Sequence, residues 1–177
     1  MSDDLEIRAP TLHDASRLAA LGRDTFIETF GHLYPQADLD RHLEQVYSLQ
    51  AIEQELRDPN LTFQVIDDGR ELVGFVKVGE VHVPVNERSQ RAMELRQLYV
   101  RQRLIGRGLG TKLMAWADTE FTRCQTDEVY VSVFSENSRA IAFYQKYGFE
   151  KIGEYGYRVG DQVDREWIMF KKYGDMR

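Results

Sequence analysis

Apolar residues recur at two periods along the chain, and the changes of period mark its elements. Leu5 to Arg8 forms a short first strand. Leu12, Ala15, Leu18, Ala19 and Leu21 fall at helical spacing, after a capping-box-like Thr11 and Asp14 in which the acid is shorter than the usual glutamate. Phe30 to Pro35 breaks that helix, and the pattern predicts further helices over Asp38 to Tyr47 and Leu49 to Arg57, the latter ending before Pro59. Leu61 to Ile66 and Glu71 to Val78 flank Asp68-Gly69, a hairpin signal. Glu94 to Val100 is another strand. Leu109, Leu113, Trp116, Ala117 and Phe121 make one helical stripe, Glu128 to Phe134 alternates as a strand, and Ser138 to Tyr147 is a helix stopped by Gly148. Phe149 to Tyr157 and Val163 to Phe170 are strands around Gly160-Asp161. The order is mixed α/β, a hairpin meander followed by β-α-β-α-β. With no repeat, low-complexity tract or linker, residues 1–177 read as a single domain.

Composition narrows the function classes. At 42% hydrophobic and 29% charged the chain reads as globular, and no apolar run is long enough for a bilayer. Its acidic start, MSDDLEIRAP, has no signal-peptide core, so a cytoplasmic protein is expected. The single cysteine, Cys124, forms no internal disulfide and sits in no nucleophile motif. His13, His32, His42 and His82 lack metal-ligand spacing, so no metal is expected. Net charge is −6. Asp24 to Asp58 holds eight acids (Asp24, Glu28, Asp38, Asp40, Glu44, Glu53, Glu55 and Asp58) against Arg41 and Arg57, which equals the whole excess. This segment is either a set of solvated helix faces or an acidic wall that attracts a cation. Either way nucleic acid is disfavoured as a partner.

Three glycines in five positions, Gly106, Gly108 and Gly110, lie between a strand and a helix. The first N–H groups of a helix have no backbone partner and carry the positive end of its dipole, and glycines let phosphate oxygens approach them. The loop therefore reads as a phosphate cradle. It fits neither a Walker A loop, since Lys112 follows Thr111 at the wrong spacing, nor a dinucleotide fingerprint, whose third glycine position is Thr111.

A second stretch, ENSRAIAFYQKYGFEKIG from Glu136 to Gly153, places Ala140, Phe143, Tyr144 and Tyr147 at helical spacing before Phe149. Together the two stretches resemble the GCN5-related N-acetyltransferase (GNAT) superfamily, whose members bind acetyl-CoA. Ile105-Gly106-Arg107-Gly108-Leu109-Gly110 matches the loop pattern [QR]-x-x-G-x-[GA] except at its first position, and Asn137, Ala140, Tyr144, Gly148 and Phe149 meet the later motif. The resemblance implies a mixed, mostly antiparallel twisted sheet of about seven strands flanked by helices, with splayed central strands holding pantetheine. It implies backbone contacts to the cofactor from Leu98, Tyr99 and Val100, pyrophosphate held by Gly106 to Thr111, a contact from Asn137, and assistance from Arg103, Arg107 and Arg139. Ile105 replaces a hydrogen-bonding side chain, so weaker cofactor binding is expected.

The implied reaction moves an acetyl group to a primary amine by direct attack. An alkyl amine is only about one part in ~2,500 neutral at pH 7, a cost of ~4.6 kcal/mol unless the site favours the free amine. A carboxylate is a sensible base. Glu94, on the strand expected to flank the thioester, is the first candidate, with Glu28 and Glu80 behind it; Tyr144 matches the family's acid. TFIETF and HLEQVYSLQAIEQELRDPNLTF also resemble spermidine/spermine N-acetyltransferases of the PaiA type, which suggests a polyamine contacted by Glu28, Tyr34 and Glu44. The expected partners are a small-molecule amine and a second copy in a homodimer, without nucleic acid or membrane. A non-catalytic acyl-CoA-binding module, and acceptors such as a peptide N-terminus or an amino sugar, stand as alternatives.

Overall fold

The computed structural model describes residues 5–174. Met1–Asp4, on which the cytoplasmic expectation partly rests, and residues 175–177 at the end of the expected 1–177 domain lie outside the described residues.

Alternation along the strands decides which core each side chain joins. Strands β1 (Glu6–Arg8), β2 (Leu61–Asp67), β3 (Leu72–Gly79) and β4 (Ala92–Val100) form an antiparallel run. Next come β5 (Glu128–Phe134), then β7 (Gln162–Lys172), with β6 (Glu150–Val159) at the far edge, giving the order β1-β2-β3-β4-β5-β7-β6. Val65 and Phe75 point to one core with α1 (Ala15–Phe30), α2 (Gln36–Tyr47) and α3 (Leu49–Arg57). Their neighbours Ile66 and Val76 join the other, with α4 (Leu109–Arg123) and α5 (Ser138–Lys146). β3 lies between these layers and is buried along its whole length. The sheet is the expected mixed, mostly antiparallel one of seven strands flanked by helices.

Most element boundaries fall within two residues of the pattern-based ones. The first helix differs: Leu12–Asp14 is a 3-10 turn, and α1 begins only at Ala15. The Asp14 carboxylate accepts from the Thr11 N–H at 2.8 Å and is gripped by Arg8, also at 2.8 Å. Arg8 and Arg17 converge on Asp67 at the end of β2 as well, tying the first helix to the sheet edge. The Arg8 guanidinium holds the Asp14 carboxyl down at about 2, and Arg17 above all holds Asp67 well below the usual range.

One departure from regular pairing builds the site. β4 and β5 run parallel and pair only over Ala92–Glu94 and Glu128–Tyr130. Beyond that point they splay, and Leu95–Val100 and Val131–Phe134 line the two sides of one gap.

Candidate active site

A cavity of about 990 Å³ fills the gap, at the upper end of the size usual for small-molecule sites. One part is lined by the glycine loop and α5, the other by aromatic and charged side chains from α1, α2, β4, β6 and β7.

The loop has the geometry of an anion cradle. Gly106 and Gly108 take positive φ angles of 86° and 79°, and a Cβ at either would meet nothing within 4 Å, so the backbone there is open. Gly108 is the N-cap of the 15-residue α4, whose first turn carries no acidic residue to occupy the free N–H groups. Gly106, Gly108, Gly110 and Thr111 line the cavity, as do Ile105, Asn137 and Arg139. Leu109 is buried and anchors the helix start in the core. Asn137 caps α5 through its side-chain oxygen, which accepts from the Ala140 N–H at 3.2 Å, leaving its amide nitrogen for other partners. Arg103 is engaged by Glu71 and Asp68, and Arg107 is exposed outside the cavity lining, so neither sits with the loop glycines in the cavity wall. Leu98, Tyr99 and Val100 line the cavity from the splayed part of β4.

Tyr144 comes from α5 into the same cavity with 6% exposure, its ring edge-on to Phe143 and Phe149 at 5.3 and 5.7 Å. Burial pushes its phenol far above the ordinary value, so it stays protonated and able to donate. Glu94 also lines the cavity, with one oxygen hydrogen-bonded and the other beside a cation. One accepts from the His82 and Val83 N–H groups at 2.5 and 3.1 Å, and the other faces Arg96 at 3.8 Å. Tyr34 lines the cavity and donates to the Asp164 carboxylate.

The remaining acidic candidates lie elsewhere. Glu44 is on the outer face of α2 with a 75% exposed side chain, 3.8 Å from Arg23. Glu28 accepts from the Gln102 N–H at 2.9 Å and borders a smaller cleft of about 280 Å³. Glu80 is exposed and does not line the cavity. The fold also brings distant cations to the acidic segment: Arg101 to Asp24 at 2.7 Å and Lys77 to Glu55 at 2.8 Å. Of the eight acids only Glu55 and Asp58 line the cavity, so the segment does not form the continuous acidic wall that counting along the chain suggested.

Pattern reasoning passed over a trio on the other side of the gap. On β5, Val129, Val131 and Val133 face the core of α4 and α5, which turns Ser132 to the opposite face. There the Ser132 hydroxyl lies 2.7 Å from the Tyr155 hydroxyl and donates to Glu166 at 3.0 Å. All three line the cavity. Burial pushes the Glu166 carboxyl up to about 7, with Asp164 adding to the rise and Ser132 opposing it. A signal for this existed in VDREWIMF. Asp164 and Glu166 share the strand phase of Ile168 and Phe170, which pack together beside Tyr155, so two acids occupy an inward face.

A family description, the acetyltransferase (GNAT) family, matches residues 23–149. The chain belongs to this family. Within it, the chain is 23% identical to an N-acetyltransferase in the pepI 3′ region of Lactobacillus delbrueckii subsp. lactis, over 89% of this chain and 91% of that one. It is also 23% identical to the spermidine N(1)-acetyltransferase of Thermoplasma acidophilum, over 96% and 98% of the two chains. The crystal structure of the PaiA N-acetyltransferase from Thermoplasma acidophilum, in complex with coenzyme A, superposes with a TM-score of 0.77 at 22% identity, covering 96% and 99% of the two chains. The fold of this GNAT acetyltransferase is therefore that of its relatives. Among the described residues no helix is long and apolar enough to cross a membrane.

Proposed function

We propose that this GNAT-family N-acetyltransferase transfers the acetyl group of acetyl-CoA to a small primary amine, in a ternary complex and without a covalent enzyme intermediate. The observation that carries this is the splayed gap, with an open glycine cradle and Tyr144 on one side and an aromatic chamber with carboxylates on the other. Acetyl-CoA supplies an activated thioester. On this chain, Gly106 to Thr111 would receive its pyrophosphate through backbone N–H groups, with Asn137 and Arg139 beside them. The splayed residues of β4 would bond the pantetheine arm as an added strand. Tyr144 holds a proton that it can give to the departing sulfur.

A cationic amine suits the acceptor chamber. Phe26, Phe30, Tyr34, Tyr47 and Tyr157 present ring faces and edges, and aromatic faces attract ammonium groups. The Thermoplasma acidophilum relative is named as acting on spermidine, which supports a polyamine for this chain too. The test is thiol release from acetyl-CoA against a panel containing spermidine, simple monoamines, amino sugars and peptides with free N-termini. Turnover with spermidine above the others is the expected result. Acetyl-CoA binding with no turnover for any amine would refute the assignment and leave a binding module.

A further inference from the structure

We propose that Glu166, held by Ser132 and backed by Tyr155, is the group that takes the proton from the acceptor amine. This rests on the acetyltransferase function proposed above and assigns the step that function leaves open. Direct attack requires the ammonium nitrogen to lose a proton first, and the sequence-based candidate Glu94 has one oxygen held by two backbone N–H groups and the other 3.8 Å from Arg96, a cation that repels an incoming ammonium. Glu55 is likewise held by Lys77 at 2.8 Å. Glu166 differs from both. The hydrogen bond that orients it comes from the neutral Ser132 hydroxyl, and the charge that acts on it is a second carboxylate, Asp164.

Its surroundings suit a group that must be empty of a proton when the amine arrives and must accept one readily. The titratable and charged groups around it are Asp164 on β7, Tyr155 and Tyr157 on β6, Tyr34 before α2, and Tyr99, Glu94 and Arg96 on β4. The carboxyl is raised to about 7, near the pH at which a base is half available and still strong enough to accept. Tyr34 extends the arrangement: its bond to Asp164 fixes the phenol beside Glu166 and leaves Asp164 committed.

The step balances as follows. The ammonium nitrogen gives one proton to Glu166, which later releases it to water. The neutral nitrogen then forms a C–N bond to the thioester carbonyl carbon, and the C–S bond breaks. The sulfur takes a proton from Tyr144, and the second proton lost by nitrogen restores that phenol. Free thiol, amide and one proton are the products.

The test uses the full chain with acetyl-CoA and whichever amine in the panel it acetylates. In wild type, kcat/KM should fall as pH drops through about 7, because protonated Glu166 accepts nothing. Glu166→Gln should lower kcat/KM on the order of 10²-fold or more and abolish that limb, while acetyl-CoA affinity by calorimetry stays within about twofold. Ser132→Ala, which removes the hydroxyl that opposes the rise, should move the limb to higher pH, a displacement that damaged packing alone would not produce. Carboxyl-carbon NMR of the protein without acetyl-CoA should show Glu166 titrating near neutrality. If Glu166→Gln keeps both the rate and the limb, or if the NMR midpoint lies at an ordinary glutamate value, Glu166 is not the acceptor. A wild type that acetylates no amine would instead overturn the underlying function, and the proton assignment with it.

Discussion

Replacing Glu166 by Gln should stabilise the folded chain, increasingly so as pH rises. A carboxyl raised from its ordinary 4.5 to about 7 is one whose charged form the fold disfavours. Between those values the folded state holds a proton that the unfolded state has lost, so stability falls as pH rises. The penalty is absent below 4.5 and complete above about 7. At about 1.36 kcal/mol for each tenfold change, it amounts to about 3 kcal/mol. Water entering the cavity makes that an upper bound. Glutamine keeps the shape and can still accept from Ser132, but it has no charge to desolvate. For a chain of this length about 1 kcal/mol moves Tm by roughly 2–4 °C. The variant should therefore match wild type near pH 4.5 and exceed it by as much as roughly 6–12 °C at pH 8. Differential scanning calorimetry of both proteins at pH 4.5, 6, 7 and 8 isolates the effect, since every other titrating group is common to the two. A Tm difference constant over that range would show that Glu166 ionises as an ordinary surface glutamate and would refute the reasoning.

Three further outcomes are expected. Gly108→Glu places a side chain at φ 79° and a negative charge in the cradle, so calorimetry should show acetyl-CoA binding lost while circular dichroism stays near normal; unchanged affinity would move the pyrophosphate elsewhere. Tyr144→Phe keeps the ring's packing against Phe143 and Phe149 and deletes the proton donor, so turnover should fall on the order of 10²-fold with acetyl-CoA affinity preserved; equal turnover across the pH range would leave Tyr144 as packing. Gly22→Ala would set a Cβ 2.4 Å from the buried Tyr47 ring, whose hydroxyl accepts from Gln97 on the cavity wall. Displacing that ring costs about 1–3 kcal/mol, which outweighs alanine's helical advantage of up to about 1 kcal/mol, and a thermal melt above wild type would contradict it.

The fold was legible where a single local cause set the structure. Alternation in β2 and β5, the Asp68-Gly69 hairpin and the stop at Gly148 all act within a few residues, and each lies where the pattern put it. The glycine loop was legible for the same reason, because an open backbone at a helix start follows from three glycines in one turn. The short helix start at Leu12–Asp14 was not. Arg8 and Arg17 compete for the Asp14 carboxylate while reaching to Asp67, which lies 59 and 50 positions from them, and nothing in TLHDAS reports that.

The same distinction governs the charges. Eight acids between Asp24 and Asp58 look like an excess only while charge is counted along the chain. In space, Arg23, Lys77 and Arg101 meet three of them, and the Gln102 N–H meets a fourth. A screened, mostly paired surface exerts little field on an incoming cation. If the acceptor is a polyamine, as proposed, its selection has to come from the few groups facing the cavity: Asp58, the aromatic walls and Glu166, with Glu55 already paired to Lys77. These supply opposite needs. Acids near the distal ammonium groups keep those charged, while the reacting nitrogen must meet a carboxylate whose burial makes it a willing acceptor. A long amine can satisfy both demands at separate points, and a short one occupies only the second. If Glu166 takes the proton as proposed, the acid that matters most to such a substrate is one that the net charge of −6 gave no reason to single out.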